Sequence, residues 1–165
     1  MEIRFDEQVA IVTGAGRGLG RAHAIAMASK GAKVVVNDFS GSQEISENAN
    51  SVVEEIISAG GEAIANGANV ANFDQVQCMV NETIDKWGRV DILVNNAGIL
   101  RDKTFLKMSV EDMREVIDVH LMGSLNCSKA VWETMREQSY GRIVLTSSSS
   151  GLYGNFGQTN YGAAK

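Results

Sequence analysis

Short β-branched runs and longer amphipathic stretches follow one another along the whole chain. Val9 to Thr13 is a compact apolar run that opens into glycines. Residues 18–30 have helical spacing, and Gly31 suits the left-handed turn that closes a helix. Lys33 to Asn37 is a second β-branched run. A helix is predicted over 49–59, with Val52, Val53, Ile56 and Ile57 on one stripe and Gly60 at its end. A short third strand is predicted over 62–65. Over 73–87, Phe73, Val76, Val80, Ile84 and Trp87 share one helical face, and Gly88 follows. Strand four is predicted over 90–95. A long helix is predicted over 113–135, with Val116, Ile117, Leu121, Leu125, Val131 and Trp132 inward. Strand five follows over 142–147, and the last residues start another helix. The polar stretch 40–50 is predicted to be a mobile loop.

Val34-Val35-Val36 and Ile143-Val144-Leu145 are apolar on both faces, which is the pattern of strands buried between two helical layers. Helices between such strands act as crossovers and make the sheet parallel. The expected fold class is therefore α/β, a doubly wound parallel sheet with strand order 3-2-1-4-5. No internal repeat and no Ser/Gly-rich linker divides the chain, and its 165 residues suit a single domain.

Charge and composition narrow the function classes. A net charge of -5 speaks against a duplex nucleic-acid partner, which favours a basic face. No apolar run is long enough to span a bilayer, so no membrane role is expected. Met1 to Asp6 is charged and lacks the apolar core of a signal peptide. Cys78 and Cys127 have no metal-ligand spacing, and no metal is expected. Both read as small buried hydrophobes in a reducing compartment rather than as a disulfide.

The chemistry begins where strand one ends. Thr13-Gly14-Ala15-Gly16-Arg17-Gly18-Leu19-Gly20 lies between a strand and a helix. A backbone passing close to a pyrophosphate must be free of side chains, and the amides that open the helix then face the anion. The other reading is a tight turn alone. Asp38 ends strand two, where a carboxylate can accept both hydroxyls of an adenosine ribose and repel a 2′-phosphate, which favours NAD over NADP. Arg17 argues the other way, since a basic residue in the turn can meet a 2′-phosphate. Asp38 weighs more, because setting a carboxylate against a phosphate loses more than an unused arginine gains.

Three further motifs follow in order. Asn95-Asn96-Ala97-Gly98 closes strand four, and Thr146-Ser147-Ser148-Ser149-Ser150-Gly151 follows strand five. Tyr161 and Lys165 are four apart, so a helix sets phenol and ammonium on one face. Together with the Gly-x-x-x-Gly-x-Gly spacing, these motifs resemble the short-chain dehydrogenase/reductase family across the chain. Ile99-Leu100-Arg101-Asp102-Lys103 and Tyr153-Gly154-Asn155-Phe156-Gly157-Gln158 resemble one branch more closely, the (3R)-hydroxyacyl-CoA dehydrogenase domains of peroxisomal multifunctional enzymes and their bacterial relatives.

The resemblance implies an NAD-dependent oxidoreductase acting on a hydroxyl or ketone substrate, foremost a 3-hydroxyacyl-CoA. It implies Ser148, Tyr161 and Lys165 as catalytic residues: Tyr161 as general acid/base, Lys165 as the cation beside it, and Ser148 as donor to the substrate oxygen. A free phenol titrates near ~10 and is a poor base at neutral pH, so a neighbouring cation is needed to favour the phenolate. The implied cofactor contacts are Gly14, Arg17, Gly18, Leu19, Gly20, Asp38, Asn95, Ala97 and Gly98, joined by Tyr161 and Lys165. His120 stands where most relatives carry Asn, and reads either as a buried, hydrogen-bonded histidine or as the holder of a water connected to Lys165. His23 receives no role. The family fold continues beyond the lysine, so domain 1–165 is expected to be incomplete at its C-terminus and inactive alone. The missing part holds a Pro-Gly turn, one reason the chain has no proline. The full-length form is expected to be a cytoplasmic homo-oligomer, or peroxisomal in a eukaryote. The alternatives are a 3-ketoacyl, steroid or alcohol dehydrogenase of the same family, or a truncated NAD-binding module without catalysis.

Overall fold

Strands β1 (Val9–Thr13), β2 (Lys33–Asn37), β3 (Glu62–Asn66), β4 (Ile92–Asn95) and β5 (Arg142–Leu145) form one parallel sheet in the order β3-β2-β1-β4-β5. The sheet belongs to a computed structural model that describes residues 3–42 and 44–165. Met1, Glu2 and Gln43 lie outside the described residues, so the charged N-terminal stretch and the 40–50 segment are described only in part. The predicted strand order is the observed one.

Both faces of the sheet are covered, and side-chain alternation shows how. Ala10 and Val12 of β1 pack with Val34 and Val36 against α1 (Gly18–Ala28) and α2 (Glu47–Ser58). Ile11, between them, points the other way with Val35 and Leu93, against α3 (Phe73–Trp87) and α5 (Gly123–Glu137). A strand with period two therefore feeds two cores, which is why its sequence is apolar throughout. Removing one such Val, Leu or Ile side chain from water is worth about 1.5–3 kcal/mol. Strand β5 is the exception. It has only β4 beside it, and Val144 and Leu145 are exposed. The expectation that 143–145 is buried on both faces does not hold among the described residues. The strand also ends at Leu145, before the predicted 147.

Helix ends follow local chemistry. After α1, Ala32 N–H donates to Met27 O at 3.1 Å and Gly31 N–H to Ala28 O at 2.9 Å, with Gly31 at φ 97°. This is the paired closure that a left-handed glycine allows. Helix α2 starts at Glu47, capped by Ser46 Oγ accepting from Ala49 N–H at 3.0 Å. Residues 47–50, read as loop, are thus helical; a capped first turn of Glu and Asn is as polar as a loop. On the predicted stripe, Val52 and Ile56 are buried, whereas Ile57 is exposed. Helix α3 has the predicted bounds and the Gly88 cap at φ 75°, but Phe73 is exposed at its start. Cys78 is exposed, contrary to expectation. Cys127 is buried, which pushes its thiol pKa up to about 12.

The long helix corrects the sequence reading most. It runs as α4 (Val110–Ile117), a wider π turn over Asp118–Met122, and α5. Its buried stripe is Val116, His120, Gly123, Cys127 and Val131. Leu121, Leu125 and Trp132, predicted inward, are exposed. The inward face mixes valines with small and polar residues, and at Gly123 the helix lies too close to its neighbour for a side chain. A Cβ on Gly123 would come within 2.7 Å of Val70 Cγ2. Remaining elements are a 3-10 turn (Phe105–Lys107), α6 (Ser149–Tyr153) and α7 (Thr159–Ala164). Among the described residues no helix is long and apolar enough to cross a membrane.

The two-core arrangement makes a direct prediction. Leu93→Ala should destabilise the fold by about 2–5 kcal/mol, the range for emptying a packed core site. Ile57→Ala, on the exposed side of α2, should change stability by less than about 1 kcal/mol. Denaturant midpoints of the two variants check this.

Candidate active site

The chain leaves β1 toward β2 on one side and returns to β4 on the other, and a crevice opens at that switch point beyond the strand ends. Thr13, the last residue of β1 and fully buried, holds the crevice floor together. Its Oγ1 accepts from the backbone N–H groups of Asn96 and Ala97, both at 3.0 Å, and donates to Val94 O at 3.3 Å. The Asn96 side chain answers, its Nδ2 donating to Thr13 O at 2.8 Å and Gly14 O at 3.1 Å. The turn after β1 is thereby bonded to the turn after β4. Gly14 (φ 62°) lies under Ala97, whose Cα would be 2.8 Å from a Cβ placed there. Gly20 faces Gly14 O and Asn96 Nδ2, and a Cβ would collide with both. Asn95 points elsewhere: its Nδ2 donates to Ser128 Oγ of α5 at 3.3 Å, and its buried Oδ1 has no protein partner.

Asp38 follows β2 at the neighbouring strand end. Its Oδ2 accepts from Ser46 Oγ at 2.7 Å, and its carboxylate lies where a Cβ on Gly16 would be. The glycine turn and the β2 carboxylate are therefore in direct contact. Arg17, Gly18 and Leu19 are exposed at the start of α1. That helix has no acidic residue in its first turn and no side-chain cap on Arg17. Its free N–H groups and positive dipole end face the crevice without a protein anion to satisfy them. A cradle stripped of side chains, an uncapped helix N-terminus and a strand-end carboxylate together fit a dinucleotide.

The catalytic candidates meet on the β5 side. Ser148 caps α6, its Oγ accepting from Ser150 N–H at 3.1 Å. Lys165 Nζ donates to Thr146 O at 2.7 Å, and Ser147 Oγ donates to Lys165 O at 3.0 Å. Lys165 Nζ lies 5.8 Å from the Tyr161 ring centroid. Tyr161 and Lys165 are thus together, and Ser148 sits on the segment that Lys165 is bonded to. Among the described residues no hydrogen bond joins Ser148 Oγ to the Tyr161 hydroxyl. Partial burial holds the Lys165 ammonium below the ordinary lysine range.

His120 occupies the middle. Its ring meets Tyr161 edge-on with centroids 5.1 Å apart, and it packs over Gly98, where a Cβ would strike Cε1. Nε2 lies 2.8 Å from Ile99 O and 3.0 Å from Ile99 N, while the buried Nδ1 has no protein partner. Burial lowers the His120 pKa, the Ile99 backbone bond raises it and the Lys165 charge lowers it further, for a net shift downward. Of the two readings of His120, the buried hydrogen-bonded histidine describes what is seen. It also lies beside Tyr161, within reach of the Lys165 field.

Sequence reasoning missed the residues that build the cradle rather than touch its contents. Thr13, Gly16, Ser46 and Asn96 all hold it together. Thr13, Gly16 and Asn96 sat inside motifs already noticed, but without the bonds that give them their role. Ser46 lay in the stretch read as a loop.

The comparisons with known proteins agree with this geometry. A family model described as short chain dehydrogenase matches residues 8–165. Peroxisomal multifunctional enzyme type 2 of Drosophila melanogaster is 52% identical over 168 residues, covering 99% of this chain and 28% of that protein. A 3-oxoacyl-[acyl-carrier-protein] reductase of Synechocystis is 52% identical over 158 residues, covering 96% of this chain and 62% of that one. A solved 7α-hydroxysteroid dehydrogenase, in complex with NADH and 7-oxo glycochenodeoxycholic acid, superposes with TM-score 0.90 at 34% identity. That match covers 98% of this chain and 61% of the other. The chain thus spans only part of the length of each.

His120 gives a pH test with a defined sign. Its folded-state pKa lies below the ordinary 6.5, so the unfolded chain binds the proton more readily. The histidine therefore lowers stability as pH falls through about 6.5 toward its folded value. Urea midpoints at about pH 7.5 and pH 5 should fall further in the parent chain than in His120→Asn. Equal losses in both would contradict the assignment.

Proposed function

Because the chain belongs to the short-chain dehydrogenase family, we propose that it is an NAD-dependent oxidoreductase whose substrate is a 3-hydroxyacyl-CoA. The nicotinamide dinucleotide, when bound, supplies the hydride acceptor or donor. Residues 14–20 and the start of α1 would hold its pyrophosphate, and Ala97 and Gly98 would pass beside it. Asp38 would accept the hydroxyls of the adenosine ribose and disfavour a 2′-phosphate. Arg17 is exposed and its side chain makes no cap hydrogen bond; the preference rests on the Asp38 carboxylate.

Tyr161 would take the proton of the substrate hydroxyl at its phenolic oxygen and return it when a ketone is reduced. A cation beside a phenol favours the phenolate, and Lys165 stands 5.8 Å from the ring centroid. Ser148 Oγ already accepts from Ser150 N–H, which leaves its own O–H to donate to the substrate oxygen. Ser148 donating to the substrate oxygen and Tyr161 accepting its proton, or donating one to a ketone, would fix the reacting carbon, the positioning that intramolecular reactions profit from. The observation that carries this reading is the Tyr161–Lys165 pair, held on the crevice by the Lys165–Thr146 bond.

The substrate class rests on the likeness of segments 99–103 and 153–158 to the hydroxyacyl-CoA branch, supported by identity to the multifunctional enzyme over nearly the whole chain. A second reading, a reductase of carrier-bound 3-oxoacyl chains, is favoured by equal identity to the Synechocystis reductase. Matched CoA and acyl-carrier-protein thioesters separate the two.

Expressed with its complete reading frame, the protein should form NADH from a (3R)-3-hydroxyacyl-CoA. Tyr161→Phe should cut kcat by at least about a hundredfold, the usual worth of a general acid/base. Unchanged turnover would remove Tyr161 from the mechanism. Asp38→Ser should shrink the NAD over NADP preference in kcat/KM by about tenfold or more, roughly ~1.4 kcal/mol. An unaltered ratio would mean that Asp38 does not select the cofactor.

A further inference from the structure

The two segments that mark the branch, 99–103 and 153–158, are far apart in sequence and bonded to one another in space. Residues 101–103 of strap 99–103 are bonded to residues 157–160, at and just before the start of the Tyr161 helix. Ile99 meets His120 Nε2 at 2.8 Å through its carbonyl. Arg101 O accepts from Asn160 Nδ2 at 3.3 Å. Asp102 Oδ2 accepts from Gln158 Nε2 at 2.8 Å. Lys103 N–H donates to Gly157 O at 3.0 Å. On its other side the strap is fixed to α4 by Arg101–Glu115 at 2.9 Å and Lys103–Asp112 at 2.6 Å.

Two side chains do most of the joining. Asn160 is 2% exposed and uses all of its nearer polar capacity. Its Nδ2 bridges Arg101 O and Asp112 O, both at 3.3 Å. Its Oδ1 accepts the backbone N–H of Tyr161 at 2.8 Å, one of the helix-start donors that has no carbonyl within the helix. Gln158 joins three segments: Oε1 accepts from Ser150 Oγ at 2.8 Å and from Asn155 Nδ2 at 2.9 Å, while Nε2 reaches Asp102. Ser150 stands two residues after Ser148. The same glutamine therefore links the serine segment, the turn before Tyr161 and the strap.

We propose that Asn160 and Gln158 are positioning residues, a clamp that fixes Tyr161 against strap 99–103 and sets its distance from the Ser148 segment. This rests on the reading of Tyr161 as the proton-transferring group. Neither side chain reaches the reacting atoms; both act through the backbone and loops that carry Tyr161 and Ser148. The clamp holds the start of the Tyr161 helix through side chains outside its own backbone ladder.

The test uses the protein expressed with its complete reading frame and three variants. Gln158→Glu sets a carboxylate against Asp102, and adding Asp102→Asn restores a donor–acceptor pair with the roles reversed. Gln158→Glu alone should lower kcat about tenfold or more, with the KM for NAD unchanged within about twofold, since sub-ångström misplacement of a reacting group acts on the chemical step. The double variant should regain most of that loss. Asn160→Asp keeps the acceptor for Tyr161 N–H and loses both donors, and should likewise lower kcat. Amide hydrogen exchange, read without cofactor or substrate, should speed up at Tyr161 and at 101–103 in Gln158→Glu and return in the double variant. If Gln158→Glu keeps parental kcat and parental exchange at these amides, the clamp is overturned. If Asn160→Asp fails to fold, the exposed Gln158–Asp102 pair still decides. Loss of turnover in Tyr161→Phe combined with parental rates in Gln158→Glu would remove the clamp alone. Unchanged turnover in Tyr161→Phe would remove the functional reading, while the exchange data would still report whether the clamp exists.

Discussion

The hydroxyl of Thr13 is the contact on which the crevice depends. One oxygen, fully buried at the end of β1, satisfies two backbone N–H groups at the turn after β4. Without it, those part-buried donors would lose their protein partner. Because β1 and β4 diverge at this point, the hydroxyl closes the sheet where the topology would otherwise leave it open. Asn96 completes the closure from the opposite side. The glycines are a consequence: two turns drawn this close leave no room for a Cβ on Gly14 or Gly20. The glycine motif is therefore as much a packing requirement between two strand ends as a clearance for phosphate.

The same closeness explains what was legible in the sequence. The doubly wound sheet and its order followed from apolar runs separated by amphipathic stretches, because strands buried on both faces leave a signal that survives without neighbours. Leu125 and Trp132 were misread for the opposite reason. Amphipathicity identifies a face only when size and polarity agree, and here the buried face holds Gly123, Cys127 and His120. A helix pressed against Val70 through a glycine follows steric fit, not hydrophobicity. The polar cap at Ser46 hid the start of α2 in the same way, since capping chemistry and loop chemistry use the same residues. Tyr161 and Lys165 were legible because residues four apart share a helix face, and Asp38 because it follows a strand directly. Thr13 and Asn160 were not, because their value lies in partners distant along the chain.

The site thus has two halves that are built differently. The dinucleotide half is backbone, glycine and a buried hydroxyl, stiffened by the sheet itself. The Tyr161 half is joined to its surroundings by side chains, through Asn160, Gln158 and Lys165. His120 stands between them, touching Gly98 of one half and Tyr161 of the other. Its π turn departs from the regular helix at this point, a distortion that tends to accompany functional positions. A cradle stiffened by the sheet, beside a segment ordered by side chains, is the arrangement the proposed hydride and proton transfer would use.

The most direct measurement of this account is NAD binding by calorimetric titration to Thr13→Ser and Thr13→Val, compared with the parent. Serine keeps the acceptor, whereas valine keeps the shape and removes it. The account predicts near-parental affinity for the serine variant and a loss of about tenfold or more for valine, roughly ~1.4 kcal/mol. Parental NAD affinity in a folded Thr13→Val protein would contradict it.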